Sequence, residues 1–136
     1  MGQQQMLFIV LGILVVGVAV AIAITMFTEG AVSANRDAIT NDLLDLSVRA
    51  QQYYRRPKSM AGGGDNFSGL KMGALSNAAG SNSSFTNVHG TFTLTSVTST
   101  QIVLSAVGIE PNGMGNLVSV EMHITTTRMD TTIVVN

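Results

Sequence analysis

The only two histidines of the chain, His89 and His123, are the first candidates for chemistry, because imidazole can transfer protons or bind a metal. His123 falls on the polar side of an alternating segment, where a solvated surface histidine is the simpler interpretation. In the loop region, Asp65 and Asn66 offer too few oxygen ligands for a metal site. We therefore predict no catalytic residue, no metal and no other cofactor.

Three aspartates, Asp37, Asp42 and Asp45, are spaced as on one helix and precede Arg49 and Arg55. Acidic residues early in a helix and basic residues late complement the helix dipole. Asp45 and Arg49 also form a favourable pair four residues apart. We attribute these carboxylates to helix stabilisation and subunit contacts rather than to acid–base catalysis.

A glycine triplet at residues 62–64, followed by Asp65, has the composition of a phosphate-binding loop. It lacks the GxxxxGK[ST] pattern, and it follows a predicted helix rather than a strand. We therefore predict no nucleotide site and no enzymatic activity.

The longest uninterrupted pattern is a run of apolar residues at 6–27, called the apolar rod below. It contains no charge and no proline, and Thr25 is its only polar side chain. As a helix it spans about 33 Å, enough to cross the hydrocarbon core of a bilayer. The first basic residue is Arg36, so the basic segment of a cleaved signal peptide is missing and we expect no cleavage of that kind.

After the rod the apolar residues recur at steps of four and three, which predicts an amphipathic helix. The stripe consists of Ile39, Leu43, Leu46, Ala50 and Tyr53, and Pro57 ends it. Between residues 6 and 54 the flexibility of Gly30 is the one feature that favours a break. One helix of about fifty residues, on the order of 75–80 Å long, is predicted. We expect Tyr53 to pack in the core and Tyr54 to be exposed.

The C-terminal region is predicted to be a small antiparallel sheet. Residues 57–89 are rich in Gly, Ser and Asn and read as a loop region, with Phe67, Leu70 and Phe85 packing it to the domain. From residue 90 the period becomes two, which indicates about four strands. The predicted class is α+β, divided into an apolar helix half (1–30), an amphipathic half (31–56), the loop region (57–89) and the sheet (90–136), with the stripe packed on one sheet face.

Composition narrows the function classes. Charged residues make up 11% of the chain, against about 25% in average soluble proteins. The net charge of −1 gives no indication of nucleic-acid binding. The chain has no cysteine, which excludes disulfides and thiolate metal sites.

A long helix that is apolar first and amphipathic later, followed by a loop and a small antiparallel sheet, resembles type IV pilins and their relatives. The segments Ala34-Asn-Arg-Asp and Gln51-Gln-Tyr-Tyr-Arg-Arg-Pro also resemble pilin-like proteins that begin with Met-Gly-Gln-Gln-Gln. The chain departs from the family pattern at Gln5, where the family has Glu, at Ile22, near the position of a common proline, and in lacking a basic leader and a disulfide.

The resemblance implies a structural subunit of an extracellular filament that polymerises through its N-terminal helix. It would reside in the inner membrane before assembly, with pilus assembly machinery and copies of itself as partners. The residues implied to form the filament core are Gln5, Met6, Phe8, Ile9, Leu11, Gly12, Ile13, Val16, Gly17, Val20, Ile24 and Phe27. The competing hypothesis is a single-pass membrane protein with a small binding domain. The missing basic flanks and the missing Trp or Tyr belt count against it.

Overall fold

The computed structural model describes residues 2–77 and 83–135. It confirms the α+β class: one long N-terminal helix packs on an antiparallel sheet of five strands, where about four were predicted. The elements are α1 (Gly2–Arg55), a short 3-10 helix (Lys58–Met60), α2 (Met72–Ser76), β1 (Ser84–Thr86), β2 (Gly90–Val97), β3 (Gln101–Pro111), β4 (Leu117–Thr125) and β5 (Met129–Val135).

Helix α1 is unbroken over 54 residues, so Gly30 does not interrupt it. At about 1.5 Å per residue it is roughly 80 Å long. Its many β-branched residues would weaken a helix in water. In an apolar environment, however, a single segment pairs its backbone groups internally only as a helix. Pro57 stands just beyond the end of α1, where its ring no longer clashes with the preceding turn.

The glycine triplet satisfies the C-terminal end of α1. The last carbonyls of a helix lack partners within it, and here backbone amides of the following loop fold back to supply them. The bonds run from Gly63 to Tyr53 (2.7 Å), from Gly64 to Arg56 (2.9 Å) and from Asp65 to Tyr54 (2.9 Å). A Cβ atom added at Gly63 would meet the Asn66 carbonyl oxygen, so the triplet serves this close backbone turn.

The sheet is a simple meander in the order β1-β2-β3-β4-β5, and every pair is antiparallel. Strand β2 carries a register shift, a β-bulge or similar irregularity, between Leu94 and Ser96. Strand β1 lies within the segment predicted as a loop region, because three residues are too few for a periodic signal. Part of that loop prediction, residues 78–82, lies outside the described residues.

The core forms between the amphipathic half of α1 and the inner face of the sheet. Helix residues Ile39, Leu43, Leu46 and Ala50 are buried, and Tyr53 packs against the core at partial burial. The sheet contributes alternate residues of β2, β3 and β4: Phe92, Ile102, Leu104, Ala106, Val118, Val120, Met122 and Ile124. Neither the helix face nor the sheet face would be stable if it were exposed to water. Each buries the apolar side chains of the other.

The segment between helix and sheet is less loop-like than its composition predicts. Phe67 and Leu70 are buried as expected, and Met72 and Leu75 of α2 are also buried. Phe67 lies with its ring centroid 4.7 Å from that of Tyr54. The prediction that Tyr54 is exposed was therefore wrong: this ring is half-buried, because the returning loop covers it.

Asn35 joins the helix to one end of the sheet. Its Nδ2 donates to the His89 carbonyl oxygen (2.8 Å), and its Oδ1 accepts from the Ile109 amide (3.2 Å). Asn35 is buried, and a Cβ atom added at Gly108 would overlap its Oδ1. Gly108 therefore allows β3 to approach the helix closely enough for both hydrogen bonds.

This close approach gives the first testable prediction. We expect Gly108→Ala to lower the free energy of unfolding by about 1–3 kcal/mol, because the methyl group displaces Asn35 and leaves buried polar groups without partners. Asn35→Ala should cost a similar amount. In the double variant the clash is absent, so its cost should be well below the sum of the single losses. Urea unfolding of the three variants measures this, and additive losses would contradict the arrangement.

Candidate functional site

The apolar rod projects from the folded domain, which buries none of its residues. Every residue from 2 to 27 is exposed, and sixteen large apolar side chains between Met6 and Phe27 are each at least 53% exposed. A Cβ atom added at Gly12 or Gly17 would meet no atom within 4 Å. By length and composition this helix can cross a membrane. A surface this apolar on a folded protein marks an interaction site.

All residues predicted for the filament core, from Gln5 to Phe27, lie on this projecting segment and are exposed. Their contacts with other subunits stay a prediction. The second predicted set is placed differently: Ile39, Leu43, Leu46, Ala50 and Tyr53 lie within the domain, against the sheet and the returning segment. The two halves of α1 thus have separate roles.

The rod is joined to the domain without a flexible linker. Val32 packs against the core at partial burial, and Asn35 is the first buried residue. Between the rod and Val32 the helix continues unbroken, and the Thr28 hydroxyl donates to the Ile24 carbonyl within it (3.0 Å). Any force or contact on the rod is therefore transmitted to the domain through a continuous helix.

A second polar contact fastens the helix to the turn between β1 and β2. Asp42 Oδ2 accepts from Asn87 Nδ2 (2.8 Å) and lies 2.7 Å from His89 Nδ1. Asn87 Oδ1 in turn accepts from the His89 and Gly90 amides. The histidine and the aspartate, considered above for chemistry, here hold the turn against α1.

Charges are concentrated on the domain side of the helix. Glu29 is the first charged residue of the sequence, and it is exposed just past the rod. Asp45 and Arg49 form the predicted i,i+4 ion pair at 3.0 Å. His123 lies on the outer sheet face, where its Nδ1 is 3.2 Å from Gln101 Nε2. Within residues 2–77 and 83–135, no group of three or more His, Asp or Glu side chains is arranged to hold a metal.

The hydrogen bonds of Asn35 and the contact between Asp42 and His89 were not predicted from the sequence. A signal for Asn35 was present: it precedes Ile39 by four residues, so it is in phase with the apolar stripe and had to face the domain. A polar residue at such a position needs a buried partner. The contact between Asp42 and His89 joins residues 47 positions apart, and no local pattern indicates it.

No protein-family model, curated protein or solved structure matches this chain. The fold and the exposed surface define its class: a small α+β domain on a long apolar N-terminal helix, which is compatible with a membrane anchor or with a pilin-like helix.

Proposed function

We propose that the chain is the structural subunit of an extracellular filament of the type IV pilus kind, which polymerises through the apolar rod. The observation that carries this proposal is the rod itself: a wholly exposed, charge-free half of a helix whose other half is fixed in a folded domain. The chain would reside in the inner membrane before assembly and on the cell surface afterwards.

The size of the apolar surface supports an assembly that does not dissociate. At roughly 25 cal/mol per Å² of apolar area, leaving the rod in water costs tens of kcal/mol. The rod must therefore be covered either by lipid or by other protein. Moving it from lipid into a bundle of identical rods exchanges one apolar environment for another, and close packing then favours the bundle.

The composition of the rod supports a protein bundle as its final environment. A charge buried in such a bundle would need a partner, and residues 1–28 contain none. Gln3, Gln4 and Gln5 can hydrogen-bond to neighbouring backbones without introducing charge. Contacts between different faces of identical subunits produce a helical polymer when the rotation between subunits does not close into a ring. The folded domains would then form the outer layer.

The second candidate function is that of a single-pass membrane anchor carrying a small binding domain. The length of the rod favours it equally. Against it stand the absence of Lys and Arg before residue 36 and the lack of Trp and Tyr near the rod. The unbroken helix between rod and domain also suits a rigid lattice better than a tethered module. Under either proposal the chain has no enzymatic role and no nucleic-acid partner.

Immunogold electron microscopy of surface material sheared from producing cells tests the proposal. We expect antibodies against the domain to label long fibres along their length. Cells in which the gene is deleted serve as the control and should lack these fibres. Recovery of the chain solely from the membrane fraction, as a monomer after detergent extraction, would reject the filament and leave the anchor.

A further inference from the structure

The end of the domain that faces the rod carries its own exposed apolar side chains. The direction of β3 shows which end of the domain this is. Ile109 donates to Asn35, near the rod, whereas Ser99, just before β3, accepts from Phe67, which packs on Tyr54 near the far end of α1. Strand β3 therefore runs antiparallel to α1, and the turn between β3 and β4 extends towards the rod.

The hairpin tip, residues 112–116, extends past Asn35 towards the level at which the rod ends. From Ile109 to Asn112 a straight strand would advance by about 10 Å, and the register shift between Val107 and Pro111 shortens this advance. A distance of about 10 Å along a helix corresponds to roughly six or seven residues. Counted from Asn35 towards the N-terminus, this distance leads to Thr28 and Glu29, where the apolar sequence gives way to the first charge.

The tip presents an apolar side chain in a fixed position. Asn112 Oδ1 accepts from the amides of Met114 (3.0 Å) and Asn116 (2.9 Å), and the Asn112 amide donates to the Asn116 carbonyl (2.7 Å). Gly115 has φ +82°, which suits glycine in such a turn. The turn directs Met114 outward, 88% exposed.

Other apolar side chains at the same end extend this surface. We call Val88, Ile109, Met114 and Leu117 the apolar rim; they are between 43% and 88% exposed. Val88 belongs there because the neighbouring His89 carbonyl accepts from Asn35. The charged side chains nearest in sequence to the rim and the rod end, Glu29 and Glu110, are acidic and exposed. The rim thus fits an apolar, uncharged partner better than an anionic one.

We infer that the apolar rim docks on the surface of a zwitterionic phospholipid bilayer while the rod spans it, with Met114 inserted among the headgroups and upper acyl chains. The rim lies at the end of the domain from which the rod projects, and the β3–β4 turn extends towards the rod's polar boundary at Glu29, where the bilayer surface would be. The inference requires the rod in a bilayer, a stage that the filament precursor and the anchor share. It does not require the filament.

The absence of cysteine makes the test direct, because a single cysteine can be introduced and labelled at a chosen site. The full chain carrying Met114→Cys, with an environment-sensitive fluorophore, is reconstituted in phosphatidylcholine vesicles. Met60→Cys is the matched control: Met60 is also an exposed methionine, but it follows the far end of α1. Val16→Cys reports whether the rod itself is inserted.

We expect the fluorophore at position 114 to show blue-shifted emission and quenching by nitroxide lipids labelled near the headgroup, while that at position 60 behaves as in water. These signals should be independent of salt and should gain nothing from added phosphatidylglycerol. A water-like signal at 114 beside a quenched signal at 16 would reject the docking alone. A water-like signal at 16 would reject rod insertion and, with it, both proposed functions.

A second copy of the chain could also cover the rim. Dilution of the protein in the bilayer distinguishes contact with another subunit from contact with lipid. When the lipid-to-protein ratio is raised at constant protein, docking on lipid leaves the fluorescence at position 114 unchanged. A loss of the blue shift on dilution would mean that the rim contacts another subunit, and it would overturn the inference.

Discussion

Val16→Asp is expected to abolish filament assembly while membrane insertion of the chain persists. The sixteen large apolar side chains of the rod favour insertion by about 5 kcal/mol or more in total, whereas one aspartate at a helix centre opposes it by about 3 kcal/mol. In a dry bundle of rods, by contrast, each subunit would bury an unpaired carboxylate at a cost of several kcal/mol, repeated along the polymer.

Two controls accompany this variant. Val16→Leu keeps the site apolar and should assemble. Met60→Asp introduces the same charge at an exposed position on the far end of the domain, and it should also assemble. Filament yield is measured by electron microscopy of sheared material, and insertion by carbonate extraction of membranes. Normal fibres from Val16→Asp would mean that this part of the rod does not lie in a dry core.

Leu43→Ala is expected to lower the free energy of unfolding of the domain by about 2–5 kcal/mol. Leu43 is fully buried between the helix and the sheet, so truncation removes apolar contacts and leaves a cavity. Since small domains are stable by only about 5–15 kcal/mol, the variant loses a large part of its stability.

The matched control is the next residue. Leu44 is of the same type and lies on the same helix, but its side chain points away from the sheet side and is 42% exposed. Leu44→Ala should cost less than about 1 kcal/mol. Unfolding of the full chain in detergent can be followed by the fluorescence of Tyr53 and Tyr54, the only tyrosines. Similar losses for the two variants would contradict the packing of α1 on the sheet.

Periodicity in the sequence was sufficient for the main architecture. The repeat of Ile39, Leu43, Leu46 and Ala50 identified the face of α1 that is buried, because a helix returns to the same side every three to four residues. The period of two from residue 90 predicted strands with alternating faces, and in β4 the structure buries every second residue: Val118, Val120, Met122 and Ile124. In both cases the chain's local geometry decides which side a residue takes.

Contacts distant in sequence could not be predicted in the same way. The burial of Met72 and Leu75 depends on where α2 settles against the helix and sheet. The burial of Tyr54 depends on the loop that returns over it. Gly108 is required because Asn35, more than seventy residues earlier, occupies the space of its absent side chain. Each of these features depends on a contact between two segments that are distant in sequence, and no short sequence pattern predicts such a contact.

The order of residues was enough to predict an uncharged apolar helix long enough to span a bilayer, continuous with an amphipathic half and followed by an antiparallel sheet. These are properties of consecutive residues, set by period, length and charge. The three-dimensional structure was needed to show that the domain leaves residues 2–27 uncovered and that the β3–β4 turn extends towards the rod. Both features depend on how α1 and β3 are aligned in space, and the hydrogen bonds of Asn35 and the packing of the core fix that alignment.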